Sequence, residues 1–395
     1  MKRQLLAGVD EARQAALEVL RRNAHGPFRR LPRTAGWAYP EPYTRDLMIA
    51  ALGVLTSGDD ALVSTWRRVL TKLAANLSPH GQAPSYVHDA ENRGASDTTP
   101  LFLLALGLYR TAAGEPGFLE GEARKALTWM EYQSPDDCVL VAQAPTTDWR
   151  DEQWVLGYGL YVNTLVYAYL RLFGQHERAN DLRETMNQFD ILAGRHHRHV
   201  HQGLRVPDKP YYALWSFKVH RNERFDLLGN SLAVLFGIPS RSRARNIISW
   251  VERECRAMRE SGVLGVGAPP CLFPFVQPED PDWRPRYEVY GLPGHYHNGG
   301  VWPFIVGFYV AAAVAAGHMR IAERNLEALT QLVRPAREND VPFGFNEWLH
   351  PADGTPRGQD WQTWSAAMYL YAAACVERGS TPLLDEIRQA SYAAD

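Results

Sequence analysis

The stretch Thr146-Thr-Asp-Trp-Arg-Asp-Glu-Gln-Trp154 places three carboxylates, one arginine and two tryptophans directly before the apolar run Val155–Phe173. That run is too long for a strand and contains no proline, so it is predicted to be a buried helix. Acidic groups suit the start of a helix, where unpaired N–H groups and the positive end of the dipole lie. Aromatic faces beside paired carboxylates also suit a sugar, which stacks on the rings while an acid reaches the glycosidic oxygen. On this stretch alone, an acidic helix start capped by Asp or Thr explains the pattern equally well.

The composition excludes several classes of protein. The chain has 395 residues, 46% of them hydrophobic, which allows one large domain or two ordinary ones. With a formal net charge of −2 and dispersed Lys and Arg, no nucleic-acid partner is expected. No charge-free run of eighteen apolar residues occurs, and Met1–Arg22 is predicted to be an amphipathic helix and not a signal peptide, so no membrane contact is expected. The cysteines lack CxxC and zinc spacing, which predicts reduced structural thiols in a cytoplasmic protein without a metal or cofactor. They are Cys138, Cys255, Cys271 and Cys375.

Apolar periodicity predicts twelve helices, and no convincing set of alternating strands competes with them. The predicted helices are Leu5–Arg22, Asp46–Thr56, Ala61–Leu77, Thr99–Thr111, Phe118–Tyr132, Val155–Phe173, His176–Leu192, Phe225–Phe236, Ser240–Arg259, Gly300–Ala316, Arg320–Val333 and Trp361–Val376.

These helices are of two kinds that alternate along the chain. Six are apolar all round and must be buried by neighbours on every side: those that begin at Asp46, Thr99, Val155, Phe225, Gly300 and Trp361. The other six carry a charged face. Alternation of this kind is typical of helical hairpins in a closed ring, an inner circle wrapped by an outer one. The predicted fold is therefore all-α, a single-domain (α/α)6 barrel, or six-hairpin toroid, over residues 1–395.

A polar and often aromatic loop precedes each inner helix. In a ring of parallel inner helices all six loops reach the same mouth, where one deep pocket is expected. The loops are residues 39–46, 91–97, 147–152, 222–226, 295–302 and 357–364. A further loop, Val341–Pro351, places Glu347 between Asn346 and Trp348. Two carboxylates approaching from opposite sides, one acid and one base, are the minimum for glycoside hydrolysis.

At these residues the chain resembles a known group, the six-hairpin toroid glycoside hydrolases. It is most similar to the catalytic domain of glycogen-debranching amylo-α-1,6-glucosidases and to the neutral/alkaline invertases. The resemblance extends over about residues 36 to 376. The stretches that carry it are Tyr43–Ala50, Asp148–Asp151, Tyr296–Pro303, Phe345–Trp348 and Gln362–Ser365.

The resemblance implies an inverting mechanism with Asp151 as general acid and Glu347 as general base. It implies that Arg45 and Asp46 hold hydroxyls of the first sugar. The rest of the expected sugar-binding set is His297, Asn298, Trp302, Asp148, Trp149, Trp348, Gln362 and Trp364. Because the motif carries a second aspartate, Asp148 is the alternative acid.

The mechanism sets physical requirements on the acid pair. An inverting enzyme needs carboxyl groups about 6.5–9.5 Å apart so that a water fits between them, against about 5–5.5 Å for a retaining one. The acid must stay protonated near neutral pH, and we expect burial of Asp151 against Trp149 and Trp154 to raise its pKa. Arg150 is expected to point away from it.

The substrate is expected to be a small α-glucoside, with sucrose as the first choice, because the sequence shows no appended glucan-binding domain. Alternatives are hydrolysis of α-1,6 branches or of a glycosylated osmolyte, and a non-catalytic sugar-binding toroid. The partner in each case is a small carbohydrate. Sequence leaves the oligomeric state open.

Two histidine clusters have competing interpretations. The run Gly194–His201 contains four histidines within six residues, but its interleaved arginines favour a solvated loop over a metal site. His295, His297 and Asn298 either cap the helix predicted from Gly300 or bind sugar.

Overall fold

The structure is a computed structural model that describes residues 2–135, 139–188, 203–218 and 220–393, with the side chains of 2–7 and 393 left aside. Fourteen α-helices occur in these ranges. They are α1 (Lys2–Asn23), α2 (Thr44–Thr56), α3 (Asp60–Ala75), α4 (Thr98–Ala113), α5 (Glu120–Glu131), α6 (Leu160–Leu172), α7 (His176–Asn187), α8 (Leu227–Phe236), α9 (Arg241–Glu260), α10 (Tyr287–Tyr290), α11 (Pro303–Ala315), α12 (Met319–Leu332), α13 (Thr363–Arg378) and α14 (Asp385–Ala393).

Six helices form a closed ring. In order round the ring, α2 contacts α4, then α6, α8, α11 and α13, and α13 returns to α2. Nearly all residues of these helices are buried, as their all-round apolar sequences predict. The amphipathic helices α3, α5, α7, α9, α12 and α1 pack outside them, and α14 lies against α6 and α8. The predicted alternation of inner and outer helices is therefore present in the structure.

Helix α13 packs unusually closely against both ring neighbours. A Cβ on Gly53 of α2 would lie 2.0 Å from the carbonyl oxygen of Ala367, and one on Gly307 of α11 would lie 2.7 Å from that of Met368. Both distances are below any real contact. Glycine at these two positions lets the backbones of three inner helices touch, so the ring closes around a narrow axis.

Short strands, which the sequence analysis did not predict, form three small sheets. β1 (Pro84–Tyr86) pairs with β2 (Asp89–Arg93), and β7 (Trp348–Leu349) pairs with β8 (Pro356–Arg357), both antiparallel. The third sheet has the order β3-β4-β5-β6, from Tyr158–Gly159, Ala213–Phe217, His220–Asp226 and Leu272–Phe273. β3 leads directly into α6 and β5 into α8, so this sheet fixes how two inner helices begin.

Several inner helices begin later than predicted. α6 begins at Leu160 and not at Val155, because Gly157 adopts a left-handed φ of +68° and β3 follows it. The acidic stretch Thr146–Trp154 is therefore a loop well before the helix, and the helix-dipole argument for it was wrong. α11 begins at Pro303, so neither His297 nor Asn298 caps it as one interpretation held; Trp302 occupies that position.

The remaining sequence predictions concern the cysteines, the histidine run and membrane-spanning helices. Cys255, Cys271 and Cys375 are free and buried, while Cys138 and the histidine run 194–201 lie outside the described residues. Within the described part of the chain, no helix has both the length and the apolar character needed to cross a bilayer.

Candidate active site

Buried ion pairs tie the first three loops of the mouth together. Arg45, in the first turn of α2, donates from Nε to Asp97 Oδ2 at 2.6 Å and from Nη2 to Asp97 Oδ1 at 3.1 Å. Asp97 is the residue before α4 and is fully buried. The same Nη2 donates to the backbone carbonyl of Asp148 at 2.8 Å. Arg45, expected to hold sugar hydroxyls, is thus also a structural cation that joins three loops.

A second cluster joins the third loop to the fourth. Arg150 pairs through Nη1 with Asp148 Oδ2 at 3.2 Å and through Nη2 with Asp226, the cap of α8. Burial disfavours the charge of Arg150, but Asp226 and Asp148 outweigh that effect and raise its pKa. Arg150 therefore turns to these two carboxylates and not to Asp151, as expected.

Asp148 is buried and engaged by other groups of the protein. Its side chain is 1% exposed. Oδ1 accepts from the Arg150 backbone N–H at 2.7 Å, and Oδ2 accepts from Gln143 Nε2 at 3.1 Å in addition to Arg150. Both carboxylate oxygens are thus taken up by donors of the protein itself. These contacts argue against both roles predicted for Asp148, alternative acid and sugar contact.

Asp151 projects into the mouth. Its side chain is 60% exposed, and Oδ1 lies 3.8 Å from His297 Nε2. Burial by the surrounding site raises its pKa, Arg45 opposes that rise and Glu152 adds to it. The direction of the shift and its largest cause, burial, are the predicted ones. Trp149 is buried, and Trp154 lies against Arg284.

Glu347 lies deeper, with 7% of its surface exposed. The nearby Phe345 has a φ of +41°, a strained value that re-aims the loop. Oε2 accepts from the backbone N–H of Gln359 at 3.3 Å. Burial raises the pKa of Glu347 to about 7; the charge of Asp151 adds to the rise, whereas a hydrogen bond from Tyr296 lowers the pKa. Glu347 and Asp151 therefore interact across the same mouth.

Asp46 and Tyr39 complete this group. Burial raises the pKa of Asp46 to about 7, Arg45 lowers it, and Glu347 and Asp151 raise it further. The charge of Glu347 is the largest of the effects that raise the pKa of Tyr39 to about 12. Tyr39 and Tyr296 were not among the predicted site residues. Both occur in loops that the sequence singles out, and that placement was the available signal.

An aromatic floor lies beneath the mouth. The rings of Trp149 and His297 are 5.1 Å apart, those of Trp149 and Trp302 5.3 Å, and those of Phe304 and Trp364 4.1 Å and stacked. Trp149 and Trp302 are almost fully buried, so they support the site from below and do not offer a face to a sugar. Their burial argues against stacking of a sugar on either ring, and the predicted substrate contacts of both stay predictions.

His297 and Asn298 play different roles although they are neighbours. Burial, with Arg150 and Arg45 nearby, holds the pKa of His297 well below its usual range, so the ring facing Asp151 is neutral. Asn298 binds three backbone groups: Nδ2 donates to the carbonyls of Val276 and Gly291, both at 2.8 Å, and Oδ1 accepts from Val276 N–H at 2.7 Å. Asn298 therefore builds the loop, and its predicted sugar contact is not supported.

Three of the predicted sugar-binding residues, Gln362, Trp364 and Trp348, lie on the same side of the mouth as Glu347. Gln362 lies immediately before α13, and its Oε1 is buried without a hydrogen-bond partner among the described residues, as is Trp364 Nε1. One group accepts and the other donates, which suits a hydroxyl ligand. Trp348 packs near His295 and Tyr296, with ring centroids 6.0 and 6.1 Å away.

Solved structures share this fold. A GH63 mannosylglycerate hydrolase from Thermus thermophilus, in complex with glucose, matches 91% of this chain and 98% of its own at 18% identity, with a TM-score of 0.62. A bacterial glucoamylase complexed with acarbose matches 90% of this chain and 51% of its own at 13% identity, with a TM-score of 0.59. At these identities the likeness establishes a common architecture.

The ring and these neighbours define the fold class of the chain, a helical toroid. The family model described as alkaline and neutral invertase matches residues 172–378, just over half of the chain. The chain therefore belongs to the alkaline and neutral invertase family. The matched segment contains Glu347 and the loop of His297 but begins after Asp151.

Curated relatives are distant and longer. Alkaline/neutral invertase C, mitochondrial, of Arabidopsis thaliana is 24% identical over 179 residues, which cover 44% of this chain and 25% of the relative. Cytosolic invertase 1 of Oryza sativa subsp. japonica is 25% identical over 159 residues, 39% of this chain and 26% of the relative. The matched part of the chain thus spans about a quarter of these relatives.

Proposed function

We propose that this chain is an inverting glycoside hydrolase that cleaves the α-glucosidic bond of a small sugar, with sucrose as the first candidate. The whole ring acts as one (α/α)6 catalytic domain. Asp151 is the general acid that protonates the glycosidic oxygen, and Glu347 is the general base that takes a proton from the attacking water.

The observation that carries the proposal is the electrostatic effect of Asp151 on Glu347 across the mouth. The charge of Asp151 raises the pKa of Glu347, although the two come from different loops of the ring. A protein that only binds sugar needs the aromatic groups but no such pair. The engagement of Asp148 with Arg150 and Gln143 leaves Asp151 as the acid of the motif.

The two environments suit the two roles. Asp151 projects into open space, where a leaving group departs, and its pKa is raised, so it keeps a proton to higher pH. Glu347 is buried beside Tyr296 and Tyr39, where a water can be held against it. Asp46, Gln362 and Trp364 are the groups that we assign to sugar hydroxyls.

The membership of the invertase family favours sucrose. A glycosylated osmolyte is the second candidate, favoured by one observation: the mannosylglycerate hydrolase structure matches nearly its whole length to this chain. The cytoplasmic location remains a prediction.

The test is product release from sucrose, trehalose, isomaltose, panose, glucosylglycerate and mannosylglycerate, with proton NMR to identify the first-formed anomer. We expect one substrate to be hydrolysed and an α-glucoside to release β-glucose. Asp151→Asn and Glu347→Gln should each abolish hydrolysis, while Glu152→Gln, which removes the neighbouring carboxylate, should retain it. Release of the glucosyl unit attacked by water as α-glucose, read from sucrose or from another substrate whose leaving group is not glucose, or full activity of Asp151→Asn, would refute the assignment.

A further inference from the structure

A second cavity, of about 930 Å³, opens on the outer wall of the ring between the end of α7 and the start of α9. None of its lining residues belongs to the candidate active site. Four of them are basic, Arg183, Arg205, Lys209 and Arg243, and Glu184 is the acidic one. In a chain whose formal net charge is −2, this is a local concentration of positive charge.

Three of these cations are poorly neutralised. In the part of the chain that the structure describes, neither Arg205 nor Lys209 makes a side-chain hydrogen bond or ion pair. Arg243 donates only to neutral acceptors: the carbonyls of Pro210 at 2.6 Å and Tyr211 at 3.0 Å, and Asn187 Oδ1 at 3.4 Å. Burial lowers the pKa of Arg243, and the charge of Arg205 adds to that effect. The protein thus bears an electrostatic cost here that a bound anion would relieve.

The start of α9 adds further positive charge to this region. The helix opens with Arg241, Arg243 and Arg245 and has no acidic residue in its first turn. Cations are unfavourable at this end, where the dipole attracts negative charge. Of these three arginines Arg243 lines the cavity, together with Ser240 and Ser242, whose hydroxyls add donors.

We propose that this cavity binds a phosphate group, either free or carried by a small organic molecule. Guanidinium groups present paired N–H donors that match phosphate oxygens, and a lysine adds a point charge. The cavity volume is in the range of about 300–1,000 Å³ found for small-molecule sites, so it has room for a phosphorylated sugar as well as for the free ion.

The test is calorimetric titration of the whole chain at low salt with inorganic phosphate, glucose 6-phosphate and glucose. We expect saturable binding of the two phosphates that weakens with added salt. Glucose alone reports any binding at the candidate active site. Tighter binding of glucose 6-phosphate than of phosphate would identify an organic ester as the occupant, and equal affinity the free ion. Absence of saturable phosphate binding up to about 10 mM, where even millimolar affinity is visible, would overturn the proposal.

A charge-matched pair of variants locates the site. Arg205→Gln with Lys209→Gln removes two exposed cations whose side chains hold no other group among the described residues, so the fold should be unaffected. Affinity for phosphate should fall at least about tenfold, as expected when two charge-assisted contacts are lost. The control is Arg124→Gln with Lys125→Gln, an exposed pair on α5, which should leave affinity unchanged. Unaltered affinity in the first variant, or an equal loss in both, would overturn the assignment to this cavity.

Discussion

Arg150 and Asp226 form an ion pair in which the side chains are only 1% and 0% exposed, one residue along the chain from Asp151. Asp226 also caps α8 by accepting the N–H of Leu228 at 3.1 Å. The position of Asp151 thus depends on α8, because its neighbour Arg150 is held by the buried carboxylate that caps that helix.

Asp226→Asn should destabilise the fold and reduce activity together. Asparagine still caps α8, so the change isolates the loss of charge beside Arg150. Breaking a buried pair costs about 3–5 kcal/mol, and because Asp148 remains as a second partner we expect about 3 kcal/mol. Urea unfolding measures this loss. The control is Arg286→Gln, which breaks the exposed pair with Glu152 and should change little. Unchanged stability of Asp226→Asn would contradict the importance of the pair.

The activity of the enzyme should rise as pH increases through about 7, because Glu347 must lose its proton to act as base and burial raises its pKa to about 7. The hydrogen bond from Tyr296 stabilises the ionised form and lowers this pKa. Tyr296→Phe should therefore move the rising limb of the kcat/KM profile to higher pH. Tyr86→Phe, whose hydroxyl instead bonds Tyr43, is the control. A limb that stays in place in Tyr296→Phe would argue against Glu347 as the base.

Neutralising Glu347 or Asp46 should stabilise the fold at high pH. Both pKa values are raised in the folded state to about 7, so the folded protein holds these protons more tightly than the unfolded chain. Ionising these two buried groups costs folding free energy. This cost is absent below about pH 4, grows as pH rises and is complete above about 7. Glu347→Gln should therefore gain roughly 1–3 kcal/mol at pH 8 and little at pH 4. Calorimetry at both pH values tests this, with Glu327→Gln on the exposed face of α12 as control. An equal effect at the two pH values would be inconsistent with a raised pKa.

Gly358 should be intolerant of any side chain because it abuts the proposed base. A Cβ there would lie 2.2 Å from Glu347 Oε2, and φ is +69°. Gly358→Ala should displace the carboxylate and lower kcat at least tenfold, because about 1 Å of misplacement can cost about a hundredfold. Gly174→Ala is the matched control, with a φ of +72° and no neighbouring atom within 4 Å. Both variants share the strain of a positive φ, so an equal fall in kcat would exclude a specific effect on Glu347.

The sequence predicted the ring well because the inner helices are apolar all round, a pattern that only burial on every side explains. The sequence-based prediction failed where local backbone geometry and hydrogen bonds, and not composition, decide the structure. The glycine at 157 and strand β3 postpone α6, and the hydrogen bonds of Asp148 and Asn298 to groups of the protein turn these polar residues inward. Tyr39 and Tyr296 were missed because a tyrosine becomes part of the site only when its hydroxyl reaches a carboxylate, and the sequence does not give that distance.

The contact between α13 and α2 has a consequence for the order in which the chain can fold. Helix α2 packs against α13, which is synthesised some three hundred residues later. The side chain of Asn23, at the end of α1, also depends on this late segment, because its Nδ2 donates to the carbonyl of Trp361 at 2.8 Å. Until that segment leaves the ribosome, the flank of α2 that carries Gly53 stays uncovered, and it is largely apolar. Nascent chains of this protein should therefore expose an apolar surface to chaperones for a long time. Premature termination within α13 should yield aggregates instead of a smaller ring.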